Sequence, residues 1–264
     1  MTRSLDALEQ ALDDWRGAGP FVLGLCGAQG SGKSTLSAAL EQRLKGRGVR
    51  AAVLSLDDLY LSHDRRQALA RAVHPLFAVR GAPGTHDVPQ GLALVEAAKA
   101  GQDVLLPRFD KATDDPAPEA GWTRAQGPLD VLIFEGWCVG ARPQAEAELV
   151  APVNDLEARF DPDGVWRRYA NEALAGAYAD LFARIDRLVL LAAPGFEVVA
   201  RWRLQQEQAL RARAPDGARV MSDAEVARFI QHYERLTRHI LSDMPSYADL
   251  TLRLDEDRRL KDLS

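Results

Sequence analysis

The chain has 264 residues, with 33 basic and 38 acidic side chains and a formal charge of -5. That length can bury a substantial core as one domain, or one domain with insertions, and the acidic balance argues against a nucleic-acid binder. Cys26 and Cys138 have neither metal spacing nor a disulfide framework, which points to a reducing compartment. With no signal-like segment before Phe21 and no apolar run of transmembrane length, the expectation is a cytoplasmic protein without membrane attachment, a monomer or homodimer.

Leu5, Leu8, Ala11, Leu12 and Trp15 recur at helical spacing, predicting an amphipathic helix over 4–16. An apolar run at 21–26 reads as a strand, 34–45 as a helix and 50–56 as a second strand. A helix at 64–73, a glycine-rich loop at 80–88 and a helix at 89–100 opened by Pro89 follow. Residues 103–107 look extended, and 111–128 read as a polar, proline-rich loop. The continuously apolar run at 129–136 suits a parallel strand buried on both faces. Helical segments are expected through 144–183, a fourth parallel strand at 187–191, and long helices at 196–213 and 222–240. Ser222 and Glu225 form a capping box at the start of the last helix. Residues 250–254 make a final strand, and the charged tail beyond is expected to fray. Alternating strands and helices predict an α/β fold: a doubly wound parallel sheet with helices on both faces, and ligands at the carboxyl ends of the strands. The reading is one domain over 1–264, with substrate-binding insertions near 80–128 and a helical lid near 196–220.

Gly27, Ala28, Gln29, Gly30, Ser31, Gly32, Lys33, Ser34 and Thr35 contain the full G-x-x-x-x-G-K-[ST] pattern between a strand and a helix. This is the context of a P-loop NTPase-type phosphate-binding loop. Glycines let successive N–H groups turn inward on an anion, and the following helix adds its positive end. Lys33 can reach the β- and γ-phosphates of ATP, and the Ser34 hydroxyl is placed to ligate Mg²⁺.

Asp57, at the end of the second strand, suits a carboxylate that orients an acceptor hydroxyl and takes its proton late in transfer. Asp58 supports it or faces Mg²⁺; alternatively both carboxylates cap the next helix. Glu135 ends the apolar strand, where a charge is costly unless paired or used. It fits a Walker-B-type acid that holds the Mg²⁺ shell through water, or a structural partner for Lys33 or a backbone donor. His86 and Asp87 sit in a loop that gathers polar groups for a hydroxylated acceptor. Arg108 and Lys111 suit a carboxylate. Among Arg201, Arg203, Arg211 and Arg213, one is expected to reach the transferring phosphoryl group from the lid.

Ser55-Leu56-Asp57-Asp58-Leu59-Tyr60 resembles a stretch of the phosphoribulokinase/uridine kinase group of P-loop kinases. Gly84-Thr85-His86-Asp87, Pro107-Arg108-Phe109-Asp110-Lys111, Phe134-Glu135-Gly136-Trp137 and Trp202-Arg203-Leu204-Gln205 resemble the plant-type D-glycerate 3-kinase branch. So do Val153-Asn154-Asp155-Leu156 and Met221-Ser222-Asp223-Ala224-Glu225-Val226. The resemblance spans about residues 21–245. It implies transfer of the ATP γ-phosphate to the 3-hydroxyl of D-glycerate, with Asp57 activating the acceptor, Asp87 where the wider group contacts its substrate and Arg203 in the lid; Tyr60, His86, Arg108 and Lys111 complete the candidate acceptor contacts. One departure stands out: where the branch has an acidic-Arg-x-x-P element, this chain has Asp114-Asp115-Pro116-Ala117-Pro118, and Arg124 is the nearest substitute. A nucleoside, pantothenate or another sugar acid as acceptor, with Tyr60, Phe109 and Trp137 offering stacking surfaces, and a slowly hydrolysing scaffold are the competing readings.

Overall fold

The structure, a computed structural model, describes residues 2–17, 19–213 and 221–264, without the side chains of 210–213. Helix α1 (Thr2–Trp15) buries Leu5, Leu8 and Leu12 and lies against the helix that follows the phosphate loop. Strand β1 (Phe21–Gly27) runs through the phosphate loop into α2 (Lys33–Gly46), and β2 (Ala51–Ser55) follows. A 3₁₀ turn over Leu56–Leu59 leads to α3 (His63–Ala72) and then α4 (Val88–Lys99). Short strands β3 (Val104–Leu106), β4 (Phe109–Asp110), β5 (Asp115–Pro116) and β6 (Thr123–Ala125) precede the central strand β7 (Val131–Gly136). Helices α5 (Asp155–Phe160), α6 (Val165–Ala173) and α7 (Ala179–Phe182) lead to β8 (Arg187–Ala192). The chain ends with α8 (Phe196–Arg213), α9 (Asp223–Asp243), β9 (Leu250–Leu254) and β10 (Leu260–Leu263).

The main sheet has the order β10-β9-β8-β1-β7-β2, parallel except for β10. Its helices lie on both sides, the doubly wound arrangement expected from the alternation. Every residue of β7 is buried, as its unbroken apolar run requires. The parallel register sets Glu135 opposite Leu25 on one side and Ser55 on the other. The tips of β1, β2 and β7 therefore converge at the carboxyl edge, where ligands bind in such sheets.

Four local expectations need correction. The stretch 111–128 is not an irregular loop throughout: it holds β6, which pairs antiparallel with β3, the segment read as extended. The helical span 144–183 is broken where Pro152, Pro162 and Gly164 interrupt it, with Gly164 entering α6 at φ 73°. The second strand stops at Ser55, so Asp57 and Asp58 sit in the 3₁₀ turn beyond it. The tail pairs instead of fraying: β10 runs antiparallel to β9 because Leu260 buries itself beside Leu254.

The family-like segments at 153–157 and 221–226 have structural work. Ser222 caps α9 with Glu225 closing the box, as read from sequence. Asn154 caps α5 and also donates to the Gln231 carbonyl of α9. Below it, buried Glu157 holds Arg235 of α9 at 2.8 and 2.7 Å. Removing one partner strands the other charge without solvent, so Glu157→Ala should lower stability by about 3–5 kcal/mol. Denaturant titration checks this; a loss below about 1 kcal/mol would mean that Arg235 is satisfied by its carbonyl contacts alone.

Candidate active site

At the carboxyl edge lies a cavity of about 410 Å³ lined by Lys33 and Ser34 of the phosphate loop, Asp57, Tyr60, Arg80, Lys111 and Arg203, among others. Helix α2 begins at Lys33, directly after the loop, so its first N–H groups face this space. Gly30 turns at φ 79°, and a Cβ there would stand 2.7 Å from Trp202 Cβ; only glycine lets α8 approach the loop this closely.

Ser34 Oγ donates to Glu135 Oε1 at 2.9 Å, while the buried Glu135 Oε2 has no hydrogen-bond partner. A buried, half-used carboxylate beside a loop hydroxyl fits a divalent cation held with its water shell. Such a cation takes most of its ligands from water and phosphate. The absence of a His/Cys/Asp/Glu cluster among the described residues is therefore compatible with it.

Asp57 accepts from Tyr60 Oη at 2.9 Å and from Lys111 Nζ at 2.8 Å. Burial opposes its ionisation, but Lys111 and Lys33 outweigh that and hold its carboxyl well below the usual range. The helix-cap alternative fails for both carboxylates, because Ser62 caps α3. Asp58 does not line the cavity. Its two oxygens accept from the Phe109 N–H and from Arg108, tying down the strand that leads into Lys111.

Several expected acceptor contacts are redirected. Residues 59–61 pair with 85–87, so His86 stacks behind Tyr60 with ring centroids 4.5 Å apart, away from the cavity. Its Nδ1 meets Tyr178 Oη at 2.5 Å, and burial pushes its pKa down to about 3, so the imidazole is neutral packing behind the site. Asp87 accepts from Gln90 N–H as the cap of α4 and pairs with Arg65. Arg108 and Arg124 line a separate groove along the β2 edge, where Arg124 pairs with Asp103. Lys111 and Tyr60 do line the cavity, although the Tyr60 hydroxyl is committed to Asp57.

In the lid, Arg201 turns outward to Glu256, while Arg203 lines the cavity. Arg203 Nη2 lies 2.7 Å from the buried Glu207 Oε2 without hydrogen-bond alignment, a charge contact only. The side chains of Arg211 and Arg213 lie outside the described residues, as do residues 214–220 of the expected lid. Sequence reasoning left Phe229 and Tyr233 unassigned, took Arg80 only as part of the polar loop and Glu207 only as a pairing partner of Arg203 or Arg211, yet all four line the cavity. The signal for Glu207 was its spacing four residues after Arg203.

No family model matches the chain. It is 40% identical over 223 residues to an uncharacterized kinase, mug58, of Schizosaccharomyces pombe, covering 81% of this chain and 78% of that protein. It is 32% identical over 266 residues to the chloroplastic D-glycerate 3-kinase of Arabidopsis thaliana, covering 90% of this chain but 53% of that enzyme. The chain thus spans about half the length of the plant protein. The D-glycerate 3-kinase structure from Cryptococcus neoformans superposes with a TM-score of 0.80 at 26% identity, covering 100% of this chain and 97% of that one. The chain belongs to the D-glycerate 3-kinase/phosphoribulokinase–uridine kinase-like family of P-loop kinases. Membership implies ATP as phosphoryl donor, as in related kinases. Among the kinase's described residues, no helix is long and apolar enough to cross a membrane.

Proposed function

We propose that the kinase transfers the γ-phosphate of ATP to the 3-hydroxyl of D-glycerate, with Mg²⁺. The observation that carries this reading is Asp57, ionised and facing the same cavity as the phosphate-loop lysine. A kinase of this kind makes little covalent chemistry of its own and works by positioning and charge stabilisation. Asp57 orients the acceptor hydroxyl and takes its proton as the new bond to phosphorus forms and the bond to the ADP oxygen breaks. Tyr60 and Lys111 hold Asp57 in place. Lys33 and the N–H groups opening α2 neutralise the β- and γ-phosphates, and Arg203 adds charge from the lid. Ser34 and Glu135 are the residues that would hold Mg²⁺, which supplies further neutralisation of the phosphate oxygens.

Two observations count against a nucleoside acceptor. Phe109 and Trp137 are buried and do not line the cavity, and Tyr60 is already stacked on His86. The cavity's four basic side chains, Lys33, Arg80, Lys111 and Arg203, against two acidic ones, Asp57 and Glu207, favour an anionic acceptor beside the nucleotide. The free, buried thiols of Cys26 and Cys138 suit a cytoplasmic enzyme.

The test is ADP release from ATP and Mg²⁺ with D-glycerate, glycerol, uridine and pantothenate as acceptors. D-Glycerate should be turned over well. Uncharged glycerol should be far poorer, on the order of 10⁴-fold where a site is built around polar groups. Turnover of uridine or pantothenate without D-glycerate would overturn the acceptor. Acceptor-independent hydrolysis alone would favour the scaffold reading.

A further inference from the structure

We infer that Arg80 grips the carboxylate of the acceptor and that Asp114 holds Arg80 in position to do so. This rests on the reading of the cavity as a hydroxy-acid kinase site and names the residue that selects the acid.

The cavity's other cations already have tasks. Lys33 belongs to the phosphate loop, Lys111 sits on Asp57, and Arg203 comes from the lid helix and rests on Glu207. Arg80 is the remaining cation of the cavity lining, and its counter-charge, Asp114, stands outside that lining. Asp114 is also shared: it pairs with Arg66, which is fully buried, as well as with Arg80. Two guanidinium groups therefore divide one carboxylate. The neighbouring Asp115 is turned to the first N–H of α3, at His63. Positive charge is left over, and Arg80 is the group that presents it to the cavity.

Arg80 is also fixed from several directions, as a selective contact needs to be. Its guanidinium lies over the Phe109 ring, 5.6 Å from the centroid, with Arg66 at 5.7 Å from the same centroid. Its carbonyl accepts from Tyr233 Oη at 3.2 Å, and the following Gly81 carbonyl accepts from Trp137 Nε1 at 3.1 Å. Gly81 has φ 135°, and a Cβ there would fall 2.2 Å from Tyr233 Oη, so the backbone is pressed against α9 in a form that glycine alone permits. Among the described residues, Arg80 makes side-chain hydrogen bonds only through Nη1, to Asp114. The rest of its planar fork is available for a carboxylate, which it can bind bidentately.

This gives the departure at 114–118 a physical meaning. Asp114, at φ 60°, does not stand in for a missing arginine by binding the acid itself. It anchors an arginine supplied by another loop. Arg124, the sequence's apparent substitute, is 64% exposed in a different groove.

The experiment compares wild type, Arg80→Ala, Arg80→Lys, Asp114→Asn and Arg124→Ala with D-glycerate, glycerol and ATP, after circular dichroism and thermal melting have established folding. Loss of a charged hydrogen-bonding partner should raise the KM for D-glycerate by about 10- to 100-fold in Arg80→Ala. The KM for ATP should stay within about twofold of wild type, and the preference for D-glycerate over glycerol should shrink by the same factor as the acid KM rises. Arg80→Lys should recover part of that preference, since charge returns without the fork. Asp114→Asn should move the acid KM in the same direction by less, and Arg124→Ala should leave it unchanged. An acid KM in folded Arg80→Ala within about threefold of wild type overturns the inference, as does a rise that follows Arg124→Ala instead. If wild type turns over another hydroxy acid in place of D-glycerate, the acceptor assignment fails separately. Arg80 is then judged by the preference for that acid over its neutral alcohol, whose loss in Arg80→Ala supports the inference and whose persistence overturns it. A neutral preferred acceptor overturns both.

Discussion

Lys33→Ala should remove most phosphoryl transfer while leaving the protein folded. Lys33 opens α2 and lines the cavity, and under the proposed function its charge would meet the phosphates where negative charge redistributes during transfer. Contacts of this electrostatic kind contribute about 3–4 kcal/mol, or roughly 10²–10³ in rate. The side chain is not part of the apolar core, and the left-handed entry at Gly32 is unaffected by truncating its neighbour. Turnover with saturating acceptor, measured beside a thermal melt, checks this. Near-normal kcat in a folded variant would mean that the loop binds phosphate without contributing to its transfer.

Asp57→Asn should lower kcat by about 10²–10⁴-fold with little change in ATP affinity, because shape is kept and the proton acceptor is lost. The surroundings of Asp57 add a pH signature. Lys111 and Lys33 hold its carboxyl below the ordinary range against the cost of burial. It is thus ionised throughout neutral pH, and wild-type kcat should show no acid limb from this group above about pH 4. A depressed folded-state pKa also stabilises the fold above the unfolded carboxylate range, and that contribution is lost as pH falls through the folded value. Asp57→Asn should therefore melt earlier than wild type at pH 7, and the gap should close in strong acid. Undiminished kcat with an earlier melt would reduce Asp57 to a structural partner of Lys111.

Much of this kinase was legible along the chain because the relevant physics is local. The phosphate loop is contiguous, and its strand and helix carry hydrophobic patterns that need no distant partner to be read. Glu135 was visible as a charge at the tip of an apolar strand, and it does end β7 with its oxygen on Ser34. The Ser222 cap and its Glu225 partner follow from a spacing of three residues. The acceptor side was less legible. His86, Asp87, Asp58 and Arg108 had suitable chemistry at suitable places in the sequence, yet each is spent on packing, capping or pairing behind the site.

By itself, then, the sequence determined the fold class, the phosphate loop, Glu135 at its strand end, Asp57 just beyond the second strand, and the kinase family. Tertiary structure decided which side chains face the acceptor. Residues 59–61 pair with 85–87, which turns His86 behind Tyr60, and α9 presses Tyr233 on Gly81, which fixes the backbone of Arg80. Side-chain direction in irregular segments follows from what they dock against, not from a repeat along the chain. A strand tip inherits its direction from the sheet, whereas a loop residue acquires one only when its partners, often a hundred residues away, close around it.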